Sequence, residues 1–173
     1  IIAPVVPEFD PSLSEASVTQ HMEKAKQQLR DAGWTPETLP ELTYGYSSAV
    51  FYRQVFEQFR GFMNQLGFPL AKIQGRTFAT FGDFNKAIKT SQLDISGLGW
   101  GLDYPDAENT LQLFYGPNRT PGSNNANYAN PEFDALFEQA STMQPGPERT
   151  ELYRKMNEMV IDDCVAITGM SRN

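Results

Sequence analysis

Cysteine and histidine are almost missing from this chain: its 173 residues include one of each, Cys164 and His21. A single thiol excludes an intrachain disulfide and any zinc site built on several thiolates. A lone imidazole cannot build an ordinary transition-metal centre, so no metal and no cofactor is expected. Positive charge is also in deficit, with 14 Lys and Arg against 21 Asp and Glu, a net charge of -7 and a pI near 4.7. That balance argues against a phosphate-tracking surface, and no nucleic-acid partner is expected. No run approaches the roughly 18 apolar residues of a membrane span. The opening IIAPVVPEFDP lacks the charged region and apolar core of a signal peptide, so the segment is expected neither to cross a membrane nor to carry its own address.

What remains is an ordinary globular composition, 40% hydrophobic and 20% charged, long enough for one domain with a real core and short for two. Residues 1–18 are Pro-rich and read as an entering linker. A helix is expected from Thr19 to Ala32, with His21 solvated or partly buried on it and Gly33 capping its end. Then come a strand Leu42–Tyr46, a helix Tyr52–Leu66 with Val55, Phe59, Phe62, Met63 and Leu66 inward, and a strand Leu70–Gly75. A helix Phe81–Thr90 and a strand Leu93–Gly99 follow. Strand, helix, strand, helix, strand in that order predicts an α/β architecture with a mostly parallel sheet, because parallel neighbours need a helix to return the chain.

The polar segment Gly116 to Asn130 reads as loop. Asn130 caps a helix that Pro131 opens, with Phe133, Leu136, Phe137 and Ala140 on its apolar face. Pro147 opens a last helix to Asp162, with Leu152, Met156, Met159 and Val160 inward. Cys164 reads as a buried structural thiol at the entrance to a closing strand, Val165–Met170.

The most informative stretch is DISGLGWGLDYPDAENTLQLF, Asp94 to Phe114. Gly97, Gly99 and Gly101 lack Cβ and let a backbone or a ligand approach. Trp100 offers a flat apolar face, and Asp103, Asp106 and Glu108 offer negative charge, a combination that suits a small cationic or zwitterionic guest. Ligands collect beyond the carboxyl ends of parallel strands, where Trp100 and Asp103 are expected to project. Asp103 either contacts a ligand or caps a turn; capping is the favoured role of Asp106 and Glu108, and Tyr104 either lines a pocket or packs. A hydrolase reading pairs Asp103 with Asp106 or Glu108 as acid and base, the two carboxyls standing about 5 to 9.5 Å apart across a sugar. A calcium loop is disfavoured, because DYPDAEN misses the EF-hand spacing. A third reading is an α/β module whose exposed aromatics bind another protein.

The phrases LGWGLDYPDAEN, YANPEFDALFEQA and PERTELYRKMNEMVIDDCVAI, preceded by EKAKQQLRDAGW, occur in an order that resembles the C-terminal lobe of the family 5 bacterial extracellular solute-binding proteins of peptide and nickel ABC importers. The resemblance runs from about Thr19 onward. It implies a single lobe, residues 19–173, of a type II periplasmic-binding-protein-like fold, cut from a longer two-lobed receptor. The implied function is capture of a peptide-like solute between two lobes and delivery to an ABC permease complex, without catalysis, by an exported periplasmic or extracellular monomer. Trp100 and Asp103 match the tryptophan and aspartate of the family's GW-x-x-D motif. In the peptide-binding branch that aspartate pairs with the ligand's α-ammonium. The implied ligand-binding residues are therefore Trp100, Gly101, Asp103 and Tyr104.

Overall fold

The computed structural model describes Met22 to Ile167. The expectations for residues 1–18, His21 and the end of the last strand lie outside the described residues. The chain forms two compact units that meet in sequence between Gly99 and Trp100.

The first unit opens with helix α1 (Met22–Asp31), which Gly33 ends in the left-handed region at φ 76°. Gly33 N–H donates to Arg30 O and Trp34 N–H to Leu29 O, both at 2.9 Å, which satisfies two of the helix's last carbonyls. Strand β1 (Leu42–Ser47), helix α2 (Val50–Leu66), strand β2 (Ile73–Phe78), helix α3 (Phe81–Lys89) and strand β3 (Ile95–Ser96) follow. The sheet is parallel throughout in the order β2-β1-β3, as the alternation of elements predicts. Its two faces bury different helices. Tyr44 and Tyr46 turn toward α2, where Phe56 lies 5.5 Å from the first ring and 5.1 Å from the second. Phe78, of opposite parity in the register, packs with Phe84, Ala87 and Ile88 of α3 and with Leu93.

Beyond shifts of one to three residues at other element ends, three departures from expectation shape this unit. β2 begins at Ile73 rather than Leu70, because Pro69 opens a 3-10 turn over Leu70–Lys72 closed by Lys72 N–H onto Pro69 O. On α2 the buried residue is Phe56, while Phe62 is 51% exposed. The two tyrosines of β1 select the seam Tyr52, Phe56, Phe59, Met63 and Leu66. β3 is two residues long rather than seven. Asp94 N–H donates to Thr43 O and Gly97 N–H to Gly45 O at its two ends, and the chain then leaves the ladder.

Gly97 is the one glycine of this stretch whose missing side chain is used locally. A Cβ there would stand 2.8 Å from the Tyr44 Oη, and that tyrosine is held by Phe56 and Phe59. Gly97→Ala is expected to destabilise the fold by about 1–3 kcal/mol, the usual cost of overpacking. Gly99→Ala, whose Cβ meets nothing within 4 Å, is expected to stay within about 0.5 kcal/mol of the parent. Urea unfolding of the two variants side by side checks the contrast.

The second unit is helical. A short helix α4 (Glu108–Leu111) runs into 3-10 turns at Gln112–Phe114 and Gly116–Asn118, followed by α5 (Pro131–Ser141) and α6 (Pro147–Asp162). Asn130 caps α5 as expected, its Oδ1 accepting from Glu132 N–H and Phe133 N–H. Ala107, Leu111, Phe114, Phe133, Phe137, Ala140, Tyr153, Met156 and Val160 form one buried cluster. The inward positions expected on α5 and α6 are buried or partly buried, and Tyr153, fully buried, joins them.

One buried side chain ties together the two ends of the polar loop before α5. Asn124 is fully buried; its Nδ2 donates to Tyr115 O and Tyr128 O, and its Oδ1 accepts from Tyr128 N–H. Three backbone groups of a loop without strands are thereby paired. At the far end, Cys164 is exposed rather than buried. It occupies a left-handed turn, φ 52°, and Val165 N–H donates back to Val160 O. Val165, not the thiol, is turned against the core. Val165–Ile167 has no regular structure, so the described part of the expected closing strand does not form. No described helix is long and apolar enough to cross a membrane.

Candidate functional site

The Trp100–Glu108 segment begins the second unit, and a few buried groups fix its shape. Trp100 carries a polar edge on a large apolar ring, and such a donor finds a partner when it packs. Here the indole Nε1–H donates to Asn109 Oδ1 at 2.9 Å. The same oxygen accepts from the backbone N–H of Asp103 at 3.3 Å. Asn109 is 1% exposed, so a buried carboxamide ties both ends of the turn Trp100-Gly101-Leu102-Asp103. The rest of the indole stays in solvent, 48% exposed.

Asp103 is exposed, and among the described residues its carboxylate has no hydrogen-bond or ion-pair partner. It caps nothing. The capping role belongs to Asp106, whose Oδ1 accepts from Glu108 N–H at 2.9 Å. Gly101 is open, with nothing within 4 Å of where a Cβ would lie. Tyr104 is 43% exposed and contributes its carbonyl to Asp106 N–H. The four sequence-predicted residues therefore share one short segment and leave an aromatic face, a bare backbone and a free carboxylate accessible. The segment is not an extension of β3, because the backbone ladder ends at Gly97 and Asn109 anchors the turn that begins at Trp100.

The other two carboxylates serve structure. Arg149 of α6 reaches Asp106 with two nitrogens, Nη1 to Oδ2 at 2.6 Å and Nη2 to Oδ1 at 3.2 Å. Glu108 lies 3.6 Å from the same guanidinium. Arg149 also donates Nε–H to Ala140 O and stands over the Tyr153 ring at 4.7 Å. Burial pushes the Tyr153 phenol well above its ordinary range. Both oxygens of Asp106 are thus engaged, and an acid and base pair built from Asp103 with Asp106 or Glu108 has no free second member. Arg149, Tyr153 and Asn109 were not singled out by sequence reasoning; the only signal for Asn109 was its place at the end of DYPDAEN.

A concavity lies elsewhere, in the first unit, lined by Arg76, Phe78, Asp83, Lys86 and Gln92 among others. Arg76 stacks on Phe78 at 4.9 Å and donates to Gln92 Oε1 at 3.0 Å. It holds none of the sequence-predicted residues.

The comparisons with known proteins agree with one another. The chain is 24% identical over 155 residues to the periplasmic oligopeptide-binding protein OppA of Haemophilus influenzae, covering 88% of this chain and 28% of that protein. It is 32% identical over 80 residues to heme-binding protein A of the same organism, covering 46% and 15%. The chain thus spans under a third of the curated relatives it matches. Among solved structures, the Escherichia coli murein tripeptide binding protein MppA superposes with a TM-score of 0.80 at 19% identity, over 94% of this chain and 31% of that one. That likeness gives the fold. The family model for the bacterial extracellular solute-binding proteins, family 5 middle region, matches residues 1–122, a span that takes in the whole parallel sheet and the exposed Trp100–Asp103 turn, and the chain belongs to the family 5 bacterial extracellular solute-binding proteins.

Proposed function

We propose that this chain is part of the substrate-binding component of an ABC importer, one lobe of a two-lobed exported receptor that encloses a peptide-like solute and hands it to a membrane permease. The observation that carries this reading is the Asp103 carboxylate, exposed and without a partner among the described residues, beside the open face of Trp100. A ligand ammonium withdrawn from water needs a compensating anion. A carboxylate held on an anchored turn supplies one without the cost of breaking an existing bond. Trp100 adds apolar area and an attraction for the cation over its ring, and Gly101 leaves the backbone approachable. Tyr104, exposed beside them, fits the lining of the same site. The names of the matched relatives support a small solute taken up whole rather than a substrate that is cleaved: one binds oligopeptides and another a murein tripeptide.

Heme-binding protein A shares more identity over a shorter stretch, so ligand class is the first thing to measure. In the complete receptor, calorimetry is expected to give saturable, one-to-one binding of short peptides with free amino termini. Haemin titrated under the same conditions is expected to give none. Saturable haemin binding with silent peptides would replace the peptide reading with the haem one.

A further inference from the structure

From the buried carboxamide beneath the turn we infer that Asn109 is the positioning residue of this site: it sets the selectivity for a ligand ammonium without touching the ligand. The inference rests on the reading of Asp103 as the ammonium's partner. Its independent content is the geometry of one oxygen. Asn109 Oδ1 accepts from the Trp100 indole N–H and from the Asp103 backbone N–H, so the aromatic face and the acid are fixed to a common point rather than to each other. An asparagine oxygen has two lone pairs, and this site uses both. The two donors also define which end of the carboxamide faces the turn.

The other end of the same side chain reveals the purpose. Asn109 Nδ2 is buried and has no hydrogen-bond partner among the described residues. Leaving a buried donor unpaired costs free energy, and what the side chain gives in return is the two hydrogen bonds its oxygen accepts. Asparagine at this position therefore serves the two groups it holds. Its own surroundings keep it still: it lies in α4 between Glu108 and the fully buried Leu111, and the start of α4 is tied to α6 through Arg149 and Asp106. Loss of the shared acceptor would let the indole and the acid move independently of each other. The pair would then no longer present a face and a charge at a fixed separation.

The experiment uses the complete receptor and the ratio of affinities for one peptide with a free amino terminus and the same peptide N-acetylated. Asn109→Leu keeps the branched outline of the side chain and deletes the acceptor; it is expected to lower that ratio by about tenfold, the scale of one lost hydrogen bond to a group that must be held. Asn109→Asp keeps an acceptor oxygen, and burial beside other acids holds its carboxyl in the neutral form, so it is expected to retain the ratio. In a protein labelled with 15N-tryptophan, with the Trp100 signal assigned through Trp100→Phe, the indole N–H resonance is expected to move upfield and exchange faster in Asn109→Leu and to stay in Asn109→Asp. Where Asn109→Leu does not fold, Asn109→Ala supplies the same two readouts. An unchanged ratio, an unmoved indole resonance, or equal losses in the Leu and Asp variants overturns the inference. Asp103→Asn separates the two failures: if it discriminates between the peptides while Asn109→Leu does not, the positioning role alone falls, and if it does not discriminate, the ammonium site falls and the positioning role with it.

Discussion

Asp103→Asn in the complete receptor is expected to weaken a peptide with a free amino terminus by about 10- to 150-fold while leaving its N-acetylated counterpart within about twofold, as measured by calorimetry. The range comes from the net worth of a hydrogen bond to a charged group, about 1.5–3 kcal/mol, at 1.4 kcal/mol per factor of ten. Asparagine preserves the shape of the side chain and the backbone N–H that Asn109 holds, so the substitution removes charge and little else. The carboxylate has no partner within the described residues that its loss would leave unsatisfied. An effect on the free-amine peptide therefore reports on the ligand rather than on repaired or broken structure. Equal weakening of both peptides would mean that Asp103 shapes the site without pairing the ammonium, and no effect on either would remove it from the site.

The second large effect is one of stability. Arg149→Met is expected to destabilise the second unit by about 3 kcal/mol, the lower part of the range for breaking a buried ion pair from one side. The guanidinium is 9% exposed, and its partners Asp106 and Glu108 are 26% and 32% exposed, so water offsets part of the loss. Methionine replaces the stem that covers Tyr153 but leaves two carboxylates facing each other and the Ala140 carbonyl without its donor. Adding Asp106→Asn to Arg149→Met is expected to recover at least about 1 kcal/mol, because the double variant leaves one partly buried carboxylate without its cation instead of two. Denaturant unfolding of the single and double variants measures the coupling. A loss below about 0.5 kcal/mol for Arg149→Met would mark the pair as solvated.

These two residues show where sequence reasoning reached and where it stopped. The proximity of Trp100, Gly101 and Asp103 was legible because they are adjacent in the chain: they form one turn, and a turn is a local object. The caps at Gly33 and Asn130 were legible for the same reason. Arg149 lies 43 residues from Asp106, and a pattern of charges on a helix does not say which distant carboxylate will meet it. Phe56 and Phe62 present the same difficulty. Both fall on plausible inner faces of α2, and only the rings of Tyr44 and Tyr46, contributed by another element, decide that Phe56 goes in. The parallel order of strands was set by connectivity. The shortness of β3 was not, since alternating glycines are compatible with a ladder until the next segment finds a better anchor. Cys164 was misplaced because a run of apolar neighbours suggests burial, while the left-handed turn that ends α6 rotates that position outward.

The loop gathered around Asn124 has one more consequence, for the conditions under which the protein keeps its shape. Exported proteins commonly fasten long polar excursions with covalent cross-links whose integrity depends on the oxidant and reductant around them. Here the fastening is a carboxamide clasp, three hydrogen bonds from one buried side chain to Tyr115 and Tyr128. That clasp contains no redox-active group, so the oxidant and reductant around it leave its strength unchanged.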